Sequence, residues 1–587
     1  MNSPPIKPNP PHPVRRAYAA LPLLWAVVVL VLTLTPSTEM PRTPAWELLS
    51  FDTAAHAGVF FVLAALSWFS LHRQRRWPWL ARHAGLAVLV GSVLFGALIE
   101  VLQMTMKLGR HGEWSDLISD SLGAALAVGL GTAWAARFGR KPQPLVVLMV
   151  LLLAASTAQA QDIARARQTI EKLASPKMHG RGYVQQGEHI AAEYLRDRLK
   201  QLKLEPLAPN YTQPFALDVN TFPGKMRLSF MHNSGSWKSY TNEPVPGKEF
   251  IASPESKAAS LTSGVIIQFD TLCFTVPKAQ QAMQETARKL LVSMAESAFL
   301  VLNTRDEQRW NSLPTGLRQT LDSLTNRIVL RPKLTASLAS SQGTGIQIEV
   351  LEDAAIWYPQ NELVELQLDA QLRRNYQTQN LAAVIRGTVQ PDSFLVVSAH
   401  YDHLGMMGKD VYFPGANDNA SGVALLLELA AHYASPENRP ACSVVFLLFG
   451  AEEAGLVGSQ YFVAHPLVPL KSIRFLVNLD LLGTGEQGAT VVNGRVFNAP
   501  YRRLAALNDA HHYLPALGAR GRAANSDHFP FSEAGVPAIF IYTRGGSTAY
   551  HDVNDRPEAL SLAGFAGAFG LVRDFLNGEG AASATKK

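Results

Sequence analysis

The chain has 587 residues, which at roughly 150 residues per domain is enough for more than one. Its 47% apolar and 17% charged residues make an ordinary globular composition, so disorder is not its main theme. A net charge of +6 invites a nucleic-acid reading, but the basic residues form no stripe interleaved with aromatics, and nucleic acid is excluded as a partner. The two cysteines, Cys273 and Cys442, make neither a disulfide framework nor a thiolate metal site, and Cys442 opens an apolar run that reads as core.

Residues 1–16 are Pro-rich and polar and are expected to be disordered. Four stretches, 17–35, 54–71, 84–106 and 117–136, are apolar enough to span a bilayer and lack the polar faces of a soluble four-helix bundle. Ten basic residues (Lys7, Arg15, Arg16, Arg73, Arg75, Arg76, Arg82, Arg137, Arg140 and Lys141) fall on one side of these spans. Only three, Arg42, Lys107 and Arg110, fall on the other, which predicts a cytoplasmic N-terminus. Inside the spans, Asp52 and His56 share one helical face, Glu100 and Gln103 end the third, and Arg110, Asp116 and Asp120 surround the start of the fourth, with Gly123 one turn on. Polar groups in lipid are costly and point to function, although capping or pairing of helix ends is an equal alternative. Their order resembles the VanZ-like membrane family over residues 17–137, which implies an all-α transmembrane bundle. Asp120 departs from it, standing where that family has Asn.

A basic head at 137–141, an unbroken apolar core at 145–155 and Ala158-Gln159-Ala160 before Gln161 follow the grammar of a secretory signal peptide, placed internally over 138–160. Cut after Ala160 or kept as a fifth span, it places everything downstream on the periplasmic or extracellular side of a bacterial-type inner membrane.

Beyond it, 163–173 reads as a helix, His179-Gly-Arg-Gly-Tyr183 as a loop, and 188–202 as an amphipathic helix. Residues 215–375 read as an inserted, substrate-side subdomain, with strands at 264–269 and 298–302 bracketing a helix at 278–297. Residues 380–387 read as the first strand of a hairpin into the next element. There, 395–398 is a buried parallel strand followed at once by His400-Tyr401-Asp402, and a Gly-punctuated loop leads to Asp418 at the head of a helix over 420–433. Three further apolar runs repeat the pattern: 443–449 ends in Glu452-Glu453, 474–478 in Asp480, and 538–542 in a Gly-rich loop carrying His551. In open α/β sheets, sites lie beyond the carboxyl ends of the strands, which is where all these residues are expected.

The set has the composition of a two-metal hydrolytic site. Such a site needs a bridging carboxylate, terminal His and carboxylate ligands, and a water between cations about 3.5–4 Å apart. His400, Asp418, Glu453, Asp480 and His551 supply five candidate ligands, and the lack of thiolates suits catalytic zinc. Glu452 is then free to act as general base. Asp402 is placed to hold the second nitrogen of His400. A solvated Glu-Glu pair is the plain alternative for 452–453, but its position directly after seven apolar residues argues against it.

The motifs AHYDHLG, PGANDNASG, FGAEEAGLVGS, NLDLLG, SDHFPF and YHDVNDRPE, spread over residues 399–558, resemble the M28 family of co-catalytic zinc peptidases. The resemblance implies a mixed, mostly parallel α/β sheet with helices on both faces over 161–580, and two zincs per chain. It also implies a peptide substrate, with aminopeptidase activity ahead of carboxypeptidase activity. By the same resemblance Asp418 bridges, His400 and Asp480 hold one zinc, Glu453 and His551 the other, Glu452 is the base and Asp402 supports His400. A cis bond at Asp418-Asn419 and a place for Ser526-Asp527-His528 near the substrate pocket are also implied. Asp552 and Arg556 depart from it, standing where Thr is more usual. An M20-type enzyme would carry a lid domain between Asp480 and His551, but these are 71 residues apart with strands between. A glutaminyl-cyclase-like enzyme with one zinc, or a non-catalytic membrane-anchored ectodomain, would have lost ligand positions, and here all five are filled.

Overall fold

A computed structural model describes residues 20–34, 51–73, 77–106, 114–137, 163–233, 238–353 and 362–581. The chain divides into two compact units, Met1–Ala160 and Gln161–Lys587. The expected disordered start and the signal-like segment at 138–160 lie outside the described residues, as do the side chains of Asp52, His56, Glu100, Gln103, Arg110 and Asp116.

The first unit is helical: Ala20–Leu34, Phe51–Arg73, Pro78–Arg82, Ala84–Met106 and Trp114–Arg137. Two glycines let the second and last of these touch. A Cβ on Gly123 would lie 2.0 Å from the Ala57 carbonyl oxygen, and one on Gly131 2.9 Å from the Trp68 ring. Ser70, Ser92, Ser119, Asp120 and Ser121 are buried, while Leu21, Leu23, Leu24, Leu94, Leu98, Leu126 and Leu130 are exposed. Among the described residues, no helix is long and apolar enough to cross a membrane, and parts of the four expected spans lie outside those residues. The 15 described residues Ala20–Leu34 rise about 22 Å. Phe51–Arg73 and Trp114–Arg137 carry Asp52, His56, Asp116 and Asp120 in their first two turns.

The second unit holds two large sheets. In the nine-stranded sheet the order is Glu205–Pro206, Gln371–Ile385, Cys442–Phe449, Gln390–His400, Ile473–Leu479, Ala538–Thr543, Ala489–Val492 and Leu517–Ala519, with Thr212–Thr221 paired to Gln371–Ile385. Cys442–Phe449, Gln390–His400, Ile473–Leu479 and Ala538–Thr543 run parallel side by side, in the register Val445, Val396, Leu476, Ala538. Their carboxyl ends therefore open on one edge. These strands read as unbroken apolar runs because both faces are covered. Leu395, Val397, Phe446 and Val477 pack under the helices that contribute Leu195, Leu426 and Phe575. Val396, Val445 and Leu476 pack on the other face against Phe462 and Phe531. Both cysteines are buried and free.

The expected hairpin does not form. Gln371–Ile385 pairs antiparallel with Cys442–Phe449, which lies between it and Gln390–His400. The connection instead crosses the incoming segment, with Thr388 and Val389 amides donating to the Pro440 and Ala441 carbonyls. Gly387 allows the crossing, since a Cβ there would lie 2.5 Å from the Ala441 carbonyl oxygen.

Residues 226–368 build the second, eight-stranded sheet, ordered Lys238–Asn242, Met226–Asn233, Leu363–Leu368, Ala259–Gln268, Ala298–Asn303, Asn326–Arg331, Gln347–Leu351 and Phe250–Ala252. Helix Pro277–Ser293 bridges two of its parallel strands, Ala259–Gln268 and Ala298–Asn303. One core cluster of this sheet takes in Leu404, Met407, Phe413 and Val553 from loops of the larger sheet.

Candidate metal centre

The open edge of the parallel strands brings together every site residue read from the sequence. His400 closes its strand with its ring buried, and its Nε2 lies 3.3 Å from Asp418 Oδ1 and 3.4 Å from Asp480 Oδ1. His551 Nε2 lies 3.1 Å from Asp418 Oδ2 and 3.2 Å from Glu453 Oε2. The two oxygens of Asp418 thus face different imidazoles, each shared with a further carboxylate. The Asp418-Asn419 peptide is cis.

Asp418 is fixed through its backbone. Asp555 accepts from the amides of Asn417 (2.9 and 3.1 Å) and Asp418 (3.0 Å). Asn417 Oδ1 accepts from the Gly483 amide, and Asn419 Nδ2 donates to the Leu479 carbonyl, so the Asp418 and Asp480 loops are tied together. Arg181 is fully buried and donates only to carbonyl oxygens: Tyr401, Leu173, Pro414 and Gly415 at 2.7–2.9 Å, and Asp418 at 3.2 Å. Burial lowers its guanidinium to about 10, against the pull of Asp418, Asp555 and Asp402. A buried cation thus staples the His400 and Asp418 loops.

Asp402 lies behind His400, where the sequence places it, and does more besides. The nearest acceptor to His400 Nδ1 is the Asp402 backbone carbonyl at 3.2 Å, with the carboxylate at 3.7 Å. That carboxylate also accepts the amides of Glu452 (3.1 Å) and Glu453 (3.3 Å), because these sit at the end of the neighbouring strand, and so it sets the turn carrying both glutamates. The two glutamates are driven in opposite directions. Burial, then Glu453, Asp527 and Asp480, push Glu452 well above the ordinary carboxylate range. Glu453 is held at about 2 despite burial and Asp418, by His551 and His403. Burial acts to lower His551, but Glu453 and Asp418 outweigh it and hold it at about 11.

His403, which the sequence reading passed over inside its motif, is buried and donates from Nδ1 to Glu453 Oε1 at 2.7 Å. Side chains that could hold cations fall into overlapping groups, among them His400, Asp418 and Asp480, and His403, Asp418 and Glu453. For the second group His551 is the better imidazole donor. Its Nε2 meets both carboxylates while its Nδ1 is held by the Ala336 carbonyl at 3.0 Å. Ser526 donates to Asp480 Oδ2 at 2.8 Å, giving the SDH motif a place behind that carboxylate. Tyr550 stacks on His551 with ring centroids 3.9 Å apart and is 45% exposed. The donor set fits divalent cations: three carboxylates, Asp418, Glu453 and Asp480, meet two imidazoles with no thiolate among them.

Residues 380–576 match Peptidase family M28, and residues 19–135 match VanZ/LLP1. Aminopeptidase YwaD of Bacillus subtilis is 32% identical over 201 residues, 32% of this chain and 41% of that protein. A probable zinc metalloprotease of Pyricularia oryzae is 39% identical over 113 residues, 19% of this chain and 22% of its own length. The matches thus span about a fifth to two fifths of these relatives. A crystal structure of a zinc aminopeptidase from Bacillus subtilis superposes with a TM-score of 0.51 at 19% identity, covering 71% of this chain and 95% of that one, which establishes the shared fold. The chain therefore carries a Peptidase family M28 domain behind a VanZ/LLP1 domain.

Proposed function

We propose that the second unit is a zinc-dependent exopeptidase, an aminopeptidase acting outside the cytoplasm through two zincs per chain. The observation that carries this reading is the placement of the two Asp418 oxygens against separate imidazoles, each shared with its own carboxylate. His400 and Asp480 would hold one ion, Glu453 and His551 the other, and Asp418 would serve both. Zinc supplies Lewis-acid polarisation of the scissile carbonyl and lowers the pKa of the attacking water. Glu452 takes the proton from that water and returns it to the leaving amine. Its place beside Glu453, on a turn whose amides Asp402 holds, is that expected of a base next to a ligand. Zinc content per chain, together with turnover on a panel of aminoacyl, dipeptide and N-blocked substrates, tests the reading. Two zincs and a requirement for a free amino terminus are expected. Equal turnover of N-blocked peptides would refute aminopeptidase specificity.

Tyr550 is a candidate donor to the oxyanion. Burial, and then the carboxylates of Asp418, Glu453, Asp480 and Glu452, raise its phenol, so it stays protonated at neutral pH. Tyr550→Phe is expected to keep the metals and lower kcat by about 10²-fold, the cost of one lost donor. An unchanged kcat would remove the phenol from the mechanism.

The helical unit is proposed to associate with a membrane. It buries serines and Asp120 while exposing leucines, the reverse of a water-soluble bundle. A reporter joined after Gln161 is expected to be exported, and one joined after Arg76 to remain cytoplasmic. An exported signal at Arg76 would overturn the charge-based orientation.

A further inference from the structure

His551 is reached at the end of a glycine-rich loop, Arg544-Gly-Gly-Ser-Thr-Ala-Tyr550, and its own φ is +54°, a left-handed conformation that a non-glycine residue holds only when its surroundings enforce it. Little in that loop's sequence fixes a side chain. The fixing groups come from 215 residues earlier, in the inserted domain. His551 Nδ1 is 3.0 Å from the Ala336 carbonyl oxygen, and the Ala336 amide donates to the His551 carbonyl, also at 3.0 Å. Lys333 Nζ donates to the Thr548 carbonyl at 2.9 Å and lies 3.6 Å from Asp552. Leu334, Ala336 and Val553 share one buried apolar cluster with Phe222, Leu404 and Phe413.

A carbonyl oxygen only accepts. The Ala336 contact therefore keeps a proton on Nδ1, so that Nε2, which faces Asp418 and Glu453, is the nitrogen left to give up its proton for a metal ion. We propose that the loop at 332–340, between strands Asn326–Arg331 and Gln347–Leu351, is the positioning element of the metal centre. Through Ala336 it selects the tautomer of His551 and holds its strained backbone, so the inserted domain completes the Glu453–His551 half of the site. This rests on the two-zinc reading above.

The test is zinc titration of the full chain against a competing chelator, with thermal unfolding of the metal-free protein as a check on folding. Ala336→Pro deletes the amide that holds the His551 carbonyl and displaces the neighbouring carbonyl. Leu317→Ala serves as control, because Leu317 lies in a separate core cluster of the inserted domain with no member in the 332–340 loop. The wild-type chain is expected to bind zinc in two steps. Ala336→Pro should weaken one step by about 10–100-fold, the usual effect of losing a group that orients a ligand, and spare the other. Leu317→Ala should lower the unfolding temperature and leave both steps unchanged. Unchanged binding in Ala336→Pro, or an equal loss in Leu317→Ala, would overturn the proposal. Should Ala336→Pro not fold, Lys333→Ala decides: a several-fold weakening of one step supports the proposal, and unchanged binding overturns it. A wild-type chain binding fewer than two zincs would refute the two-zinc reading, and the proposal with it.

Discussion

Glu452→Gln is expected to retain both zincs and to lower kcat by about 10²–10⁴-fold, the range over which a positioned acid–base group contributes. Glutamine keeps the size of the side chain and cannot take a proton from water. The backbone that carries it is held independently of the side chain, because Asp402 accepts the Glu452 and Glu453 amides. Glu453 has two histidine partners, His403 on one oxygen and His551 on the other. Glu452 has none at ion-pair distance and is instead pushed toward its protonated form by burial and by Glu453. Zinc content measured beside kcat separates the two roles. If Glu452→Gln lost a zinc while Glu453→Gln kept both, the assignments would be exchanged.

The parts of this site that were legible in the sequence are those written as contrast. Four apolar runs buried on both faces stop abruptly at His400, Glu452-Glu453, Asp480 and the loop to His551, and each stop is a change of hydropathy readable along the chain. Groups that act through the backbone leave no such trace. Arg181 looked like part of a loop because all its partners are carbonyls, which every residue has. Ala336 holds His551 with its own amide and carbonyl, so its side chain says nothing of the role. The two-residue spacing sets Asp402 beside His400, while its bonds to the amides of the adjacent strand end depend on strand adjacency, a tertiary fact. The missed insertion of Cys442–Phe449 beside Gln371–Ile385 has the same cause, since a short connection between two strands predicts pairing only when no third strand enters. In the helical unit, apolar runs were measured without the helix boundaries. Two of its helices begin with acidic turns, which an apolar run read along the chain does not weigh.

Asp418→Asn is expected to release at least one zinc per chain and to cost more activity than Glu452→Gln. A carboxylate offers two equivalent oxygens with a shared negative charge, and here one faces His400 and the other His551. An amide offers one oxygen, no charge, and an NH₂ that turns a donor toward whichever side it faces. One half of the site would then meet a hydrogen-bond donor where it needs an electron pair. Misfolding does not confound the result, because this loop is held through main-chain groups that the substitution keeps. Asp555 accepts the Asp418 amide, Arg181 donates to the Asp418 carbonyl, and Asn417 and Asn419 tie the flanks to the Asp480 loop. The variant should therefore unfold near the wild-type temperature when both are metal-free, and differ from it in how much zinc restores. Zinc per chain after dialysis, read beside that comparison, gives the answer. A variant that keeps two zincs and full turnover would show that Asp418 does not bridge, and the pairing of its two oxygens with two imidazoles would have to be read as an ordinary buried ion-pair network.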